Sequence, residues 1–271
     1  MNARAVAYRL LGSIGEAEDA VQEAHARWYA LPEARRREVR SRDAWLVTTV
    51  SRICLDILGS ARVRREHYVG EWLPEPVGTS EDPADLAELD ESLSMALLVV
   101  LERMTPAERV AFVLHDVFGF RYAEIAEIVG RTEHACRQLA SSGRRRADEA
   151  RGRAVDPAVV AALKRAWEAR DLDALVRQLD PAVIAFVDGG GHVSAARDPI
   201  AGVVPVARLL LSVLDRQPGL TLHIATVNGA SGLIARAPDA TVLAVTSVTT
   251  TDGRVDRLWS MRNPDKLTTW T

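Results

Sequence analysis

The chain has 271 residues and a mass of 29.6 kDa, long for one domain, so two or three domains are expected. With 48% hydrophobic and 26% charged residues, the composition is that of an ordinary globular protein rich enough to bury cores. The net charge of −3 does not by itself suggest a nucleic-acid partner, and no apolar run approaches the length of a membrane span, so a cytoplasmic protein without a membrane segment is expected.

From the N-terminus, residues 5–11 and 16–31 carry apolar side chains at helical spacing. The "GSIGEAED" between them reads as a turn leading into an acidic first helical turn. Leu46, Val50, Ile53 and Ile57 recur at three- and four-residue steps and predict a third helix over 41–61. Residues 1–68 thus read as a small all-helical domain. Residues 69–91 hold eight acidic side chains and no basic one, and Pro74, Pro76 and Pro83 break any helix there. This is an acidic linker, yet its "WLPEP" places Trp72 and Leu73 just ahead of Pro74, Glu75 and Pro76. So much apolar surface in an extended segment predicts that another part of the molecule covers it.

Helical patterning returns over 92–153, whose informative stretch is "TPAERVAFVLHDVFGFRYAEIAEIVGRTEHACRQLASSGRRR", starting at Thr105. Thr105, Pro106 and Glu108 have capping-box spacing with proline at the first helical position. After the "FGF" turn, "YAEIAEIVG" predicts a short helix stopped by Gly130, and Thr132 can cap the next. Two short helices about a glycine turn form a helix-turn-helix, whose second helix enters the DNA major groove. Glu133, His134, Arg137, Gln138 and Ser141 lie near its start, where base edges are read, and Arg144 and Arg145 follow where phosphates would lie. Arginines also cluster at 35–37, 40 and 42 and at 62, 64 and 65. Any one cluster reads as a solvated helix face; together they point to DNA. Cys54 and Cys136, far apart in helical patterns, read as small buried apolar residues.

Residues 154–271 are neutral overall. Two helices, "AVVAALKRAWEARD" and "DLDALVRQL", with Asp171 or Asp173 as a cap, precede strand-like runs "VIAFVD", "LTLHIATVN", "GLIARA", "TVLAVTSVTTT" and "RVDRLWSMRN". A helical "GVVPVARLLLSVL" interrupts them. Helices followed by a curved sheet make an α+β cone with an interior pocket. Asp188, His192, Asp198 and His223 could supply a general base, but no pair has a spacing that forces proximity, so no enzyme activity is expected. No metal or cofactor is indicated.

"AYRLLGS", "AEDAVQEAHARW", "AWLVTTVSRICLDILGSARVRRE" and the helix-turn-helix "YAEIAEIVGRTEHACRQ" follow one another over residues 3–153. In that order they resemble the extracytoplasmic-function sigma factors of bacterial RNA polymerase. "WLPEP" at 72–76, "DGGGH" at 188–192 and "NPDKL" at 263–267 resemble the subgroup with a fused SnoaL-like C-terminal domain. The resemblance implies two all-α sigma domains, at 1–68 and 92–153, and a SnoaL-like α+β domain at 154–271. It implies core RNA polymerase and promoter DNA as partners. Glu18, Asp19, Gln22 and Glu23 would meet the polymerase clamp. Arg52, Asp56, Arg62, Arg64 and Arg65 would open and read the minus-ten element, and Glu133, His134, Arg137, Gln138, Arg144 and Arg145 would meet the minus-thirty-five element. Trp72, Leu73, Pro74, Glu75 and Pro76 would be held by Asp188, Gly189, Gly190 and Gly191 with Asn263, Pro264, Asp265, Lys266 and Leu267, so that the C-terminal domain controls activity. The chain begins almost immediately before "AYRLLGS", so a first helix shorter than in the family is expected, and His192 stands where the glycine motif usually ends in lysine. The alternative is a ligand-responsive helix-turn-helix regulator with a small molecule in the cone.

Overall fold

Asn2 and Ser13 start the first two helices in the same way, each accepting a hydrogen bond from a backbone amide of the first turn. The computed structural model describes residues 2–65, 68–78, 94–148 and 155–270, without the side chains of 61–65. Two compact units emerge, Met1–Glu66 with Leu97–Arg151, and His67–Ala96 with Gly152–Thr271. Among the described residues, no helix is long and apolar enough to cross a membrane.

In the first unit, α1 (Ala3–Leu11), α2 (Ile14–Ala30) and α4 (Arg42–Arg65) match the predicted helices, and α3 (Glu33–Glu38) is additional. Apolar spacing could not reveal α3, because "EARRRE" buries nothing; Glu33 pairs with Arg37 and Arg35 with Glu38 along its surface. Val6, Leu10, Leu11, Ala24, Val50 and Cys54 form the core of these helices. Next come α5 (Met95–Glu102), α6 (Pro106–Phe112) running into a π turn at Val113–Val117, α7 (Tyr122–Val129) and α8 (Glu133–Ala147).

The predicted caps form. Thr105 Oγ1 accepts from Glu108 N, and the Glu108 carboxylate accepts from Thr105 N at 2.9 Å. Gly130 ends α7 at φ 70°, a left-handed turn that a side chain would strain, and Thr132 caps α8. Cys136 and Ala140 pack α8 into the core with Val110, Leu114 and Ile125. Arg109, only 2% exposed, donates to Leu10 O at 2.9 Å and to Glu102 Oε1 at 2.7 Å, tying α6 to the end of α1.

The second unit is α+β, as the SnoaL-like resemblance implied. Helices α9 (Pro157–Glu168) and α10 (Leu172–Gln178), capped by Asp156 and Asp171, precede β1 (Leu179–Asp188). A two-residue β2 (Ile200–Ala201), too short to show in the sequence pattern, precedes α11 (Val203–Arg216). Strands β3 (Thr221–Val227), β4 (Ala230–Arg236), β5 (Val242–Thr251) and β6 (Arg254–Met261) complete a sheet of order β2-β1-β6-β5-β4-β3. The β1–β6 pair is parallel and the others are antiparallel. Leu163, Leu175, Val183, Val206, Leu233 and Val255 lie at the centre of its core.

The parallel pairing positions the site. Asp188 at the end of β1 lies opposite Met261 at the end of β6, and Arg262 N donates to Asp188 O at 2.7 Å. "DGGGH" and "NPDKL", 75 positions apart in sequence when counted from Asp188 to Asn263, therefore leave the sheet at the same edge.

Candidate nucleic-acid interface and linker site

Residues 71–78 run extended along the second unit, fixed mainly through their backbone. Leu73 N donates to Asp188 Oδ2 at 2.9 Å, while Leu73 O accepts from Lys266 Nζ at 2.7 Å. Val77 is held from both sides by Asn228, whose N donates to Val77 O at 2.7 Å and whose Oδ1 accepts from Val77 N at 3.3 Å. Trp270 Nε1 donates to Pro76 O at 3.0 Å, and the same indole packs against Gly78. Proline suits this segment because it favours extended backbone and the carbonyls do most of the accepting.

At the centre, Asp188 is fully buried and Lys266 nearly so, 2.8 Å apart. Asp188 also accepts from Tyr68 Oη at 2.6 Å and Gly190 N at 3.0 Å. A carboxylate has about four acceptor sites, so this buried charge is fully partnered. Burial, and then the hydrogen bond to Asp188, push the Tyr68 phenol well above its usual pKa. Asn263 explains the "NP" of its motif: its Oδ1 accepts from Asp265 N, capping the short turn Pro264–Lys266, and its Nδ2 donates to Tyr68 Oη at 2.9 Å. That turn sends Lys266 back to Asp188, while Leu267 is buried beside it. Gly190, at φ 61°, has no room for a side chain because a Cβ would overlap Asn263. Gly189 would meet Ala195 and Val193 in the same way, and Gly191 faces Val69. His192 and Asp265, both exposed, approach to 3.0 Å.

Leu73, Pro74 and Pro76 are buried, but Trp72 and Glu75 are only partly so. The expected cover of the indole is therefore incomplete. Its face instead receives the Lys266 ammonium, 4.1 Å from the ring centroid. Three residues of this site escaped the sequence reading: Tyr68, Asn228 and Trp270. Asn228 sits before Gly229 in a β-turn, at φ 51°, and that turn chemistry accounted for it fully in the sequence. Tyr68 and Trp270 stand at segment ends without any periodic pattern.

In the first unit, Glu18, Asp19, Gln22 and Glu23 are all exposed, on the side of α2 away from buried Ala17, Ala20, Ala24 and Trp28. Glu18 pairs with Arg4 and Glu23 with Arg27, each at 2.8 Å. Arg52 and Asp56 are exposed one turn apart on α4, and Arg52 donates to Glu127 O at 3.1 Å. The side chains of Arg62, Arg64 and Arg65 lie outside the described residues, as do linker residues 79–93. On α8, Glu133, His134, Arg137, Gln138 and Arg145 are exposed; His134 and Gln138 meet at 3.0 Å, and the Arg137 guanidinium sits over the Tyr122 ring. Arg144 is engaged internally, donating to Asp116 Oδ1 at 2.6 Å, and this hydrogen bond raises its pKa. Cys54 is buried, and burial pushes its thiol up to about 12.

Within the second unit, a cavity of about 250 Å³ lies between α9, α11 and the sheet. Asp188, His192, Asp198 and His223 are not among its lining residues; His223 is exposed on β3 beside Thr221. Among the described residues no group of His, Cys, Asp and Glu could hold a metal ion.

A helix-turn-helix with an exposed polar recognition face, joined in one unit to a four-helix module, defines a DNA-binding transcription protein. Residues 2–65 match the model for sigma-70 region 2 and residues 94–146 that for sigma-70, region 4. The chain is 43% identical to the ECF RNA polymerase sigma factor SigJ of Mycobacterium tuberculosis, over 97% of this chain and 89% of that one. It is 41% identical to the probable ECF RNA polymerase sigma factor SigI of the same species, over 68% of this chain and 65% of the relative. The crystal structure of M. tuberculosis SigJ matches with a TM-score of 0.78 at 38% identity, covering 97% of this chain and 94% of that one. The chain belongs to the extracytoplasmic-function RNA polymerase sigma factors.

Proposed function

We propose that this sigma factor directs core RNA polymerase to specific promoters and that its C-terminal domain sets that activity by holding the linker. In this reading Glu18, Asp19, Gln22 and Glu23 dock on the polymerase. Arg52 and Asp56, with Arg62, Arg64 and Arg65, act at the minus-ten element. Glu133, His134, Arg137 and Gln138 read base edges at the minus-thirty-five element while Arg145 meets phosphate. Arg144 serves the domain's own stability through Asp116 more than it serves DNA.

The observation that carries the regulatory part is the lock on Leu73, whose N–H and C=O are both taken by the buried Asp188–Lys266 pair. A linker fixed at this point limits how the sigma modules it connects can be spaced along a promoter. In this reading the C-terminal domain acts as a regulator through its hold on the linker.

The test is run-off transcription by bacterial core polymerase with the full chain and with its Lys266→Met and Trp72→Ala variants. Transcription that depends on the added protein and changes in the variants is expected. Equal transcription from all three forms would remove the regulatory role of the linker lock, and none from any form with DNA binding intact would remove the sigma reading itself.

A further inference from the structure

The cavity of the C-terminal domain has a lining of two unlike kinds, apolar and cationic. Trp167, Leu209, Leu210 and Leu258 are apolar members of the lining, and the Trp167 N–H is not available to a ligand because Nε1 already donates to Leu210 O at 2.7 Å, which leaves the ring as apolar surface. The same lining carries Arg216 from the last turn of α11 and Arg262 just beyond β6, close enough for their charges to interact, together with the hydroxyls of Thr246 and Ser260. The lining contains no acidic side chain.

Among the described residues neither arginine has a carboxylate partner: Arg262 Nη1 donates to Ser194 O at 2.7 Å and Arg216 Nη2 to Ser212 Oγ at 2.9 Å. Each guanidinium has five N–H donors, so most of this capacity is uncommitted within the domain. Burial, and then the like charge of Arg216, lower the pKa of Arg262, so the protein holds two cations near each other at a cost. An anion placed between them would relieve that repulsion and accept charge-assisted hydrogen bonds. A purely inorganic ion would leave the apolar wall uncovered, and a neutral apolar ligand would leave the arginines uncompensated. The volume suits a molecule of one or two rings or a short alkyl chain.

We propose that this cavity is a binding site for a small amphipathic carboxylate, its anionic head between Arg216 and Arg262 and its apolar body against Trp167 and Leu258. The linker lock does not depend on this site, and the two readings fail separately. The loop at 194–196 lines both this cavity and a second hollow in which Val69 and Gly70 lie, so the head group would sit beside the segment that meets the linker.

The test is calorimetric titration of the full chain with benzoate, 1-naphthoate and octanoate, and with 1-naphthamide as the neutral isostere. Binding of at least one carboxylate is expected, with 1-naphthoate stronger than its amide by about tenfold or more, as a charge-assisted pair would give. Arg216→Gln, at an exposed position in the last turn of α11, should remove about that factor for the carboxylate and little for the amide. Arg262→Gln should do the same where circular dichroism shows it folded; Arg216→Gln decides the matter where it does not. No heat with any of the three carboxylates, equal binding of acid and amide, or an unchanged affinity in Arg216→Gln would overturn the proposal.

Discussion

Asp188 and Lys266 form a buried ion pair in which each partner also holds the linker backbone, so removing one leaves the other charged, buried and uncompensated. Lys266→Met should cost about 3–5 kcal/mol, seen as a lower thermal midpoint and faster proteolysis near residues 68–78. The double variant with Asp188→Asn should recover part of that loss, because no bare charge remains; an additive loss would mean that the two side chains are not coupled. Tyr68 makes the site sensitive to alkali. Its folded-state pKa is raised, so the stabilisation by the neutral phenol is complete below the ordinary value of 10.0 and is lost as pH rises above it. From about pH 10 upward the parent should lose stability in denaturant titrations that Tyr68→Phe does not lose. The three motifs of this site were legible as short strings, and so were the glycines. The individual bonds were not, because Asn228 and Trp270 reach Val77 and Pro76 across more than 150 positions, and a local turn signal does not name so distant a partner.

At the scale of elements, helix starts were the most legible feature. Thr105, Pro106 and Glu108 form their capping box from residues three apart, so local chemistry suffices to specify it. Thr105→Ala should destabilise the helix-turn-helix by about 1 kcal/mol. Glu108 adds a pH dependence: burial raises its pKa, but hydrogen bonds from Thr105 and Ser142 outweigh this and the net shift is downward. The stabilisation is present above the ordinary 4.5 and lost as pH falls through the folded value, and Glu108→Gln should flatten that acid limb in a thermal-melt series. Gly143 illustrates what spacing does not disclose. In the middle of α8 it reads as a helix weakness, yet a Cβ there would come within 2.7 Å of Phe112 Cβ, so its absence lets α8 lie close on α6. Gly143→Ala should therefore cost about 1–3 kcal/mol through overpacking rather than gain helix propensity, measured by chemical denaturation. Charge-only α3 stayed hidden because it buries no apolar face, and β2 because two residues are too few to show an alternation.

At the scale of the molecule, the arginines divide into those that hold the fold and those that face solvent. Arg109 is buried between α6 and the end of α1, whereas Arg137 and Arg145 stand on the exposed face of α8. In promoter-binding assays with holoenzyme, Arg145→Ala should weaken binding about equally across sequences and reduce its salt dependence by about one ion. Arg137→Ala should cost about 1–3 kcal/mol on the preferred minus-thirty-five sequence alone. A uniform loss from Arg137→Ala would place that residue on phosphate instead.

Periodicity, caps and turn residues act over a few positions, and these local rules by themselves determined the helical N-terminal modules, the helix-turn-helix and the α+β character of the C-terminal domain. Folding settled the rest: the parallel β1–β6 pair that brings Asp188 to Asn263, the lock of Lys266 on Leu73, and the meeting of Arg216 and Arg262 on the lining of one cavity. These depend on contacts between residues far apart in the chain. Strand register and burial establish such contacts, and no local pattern encodes them.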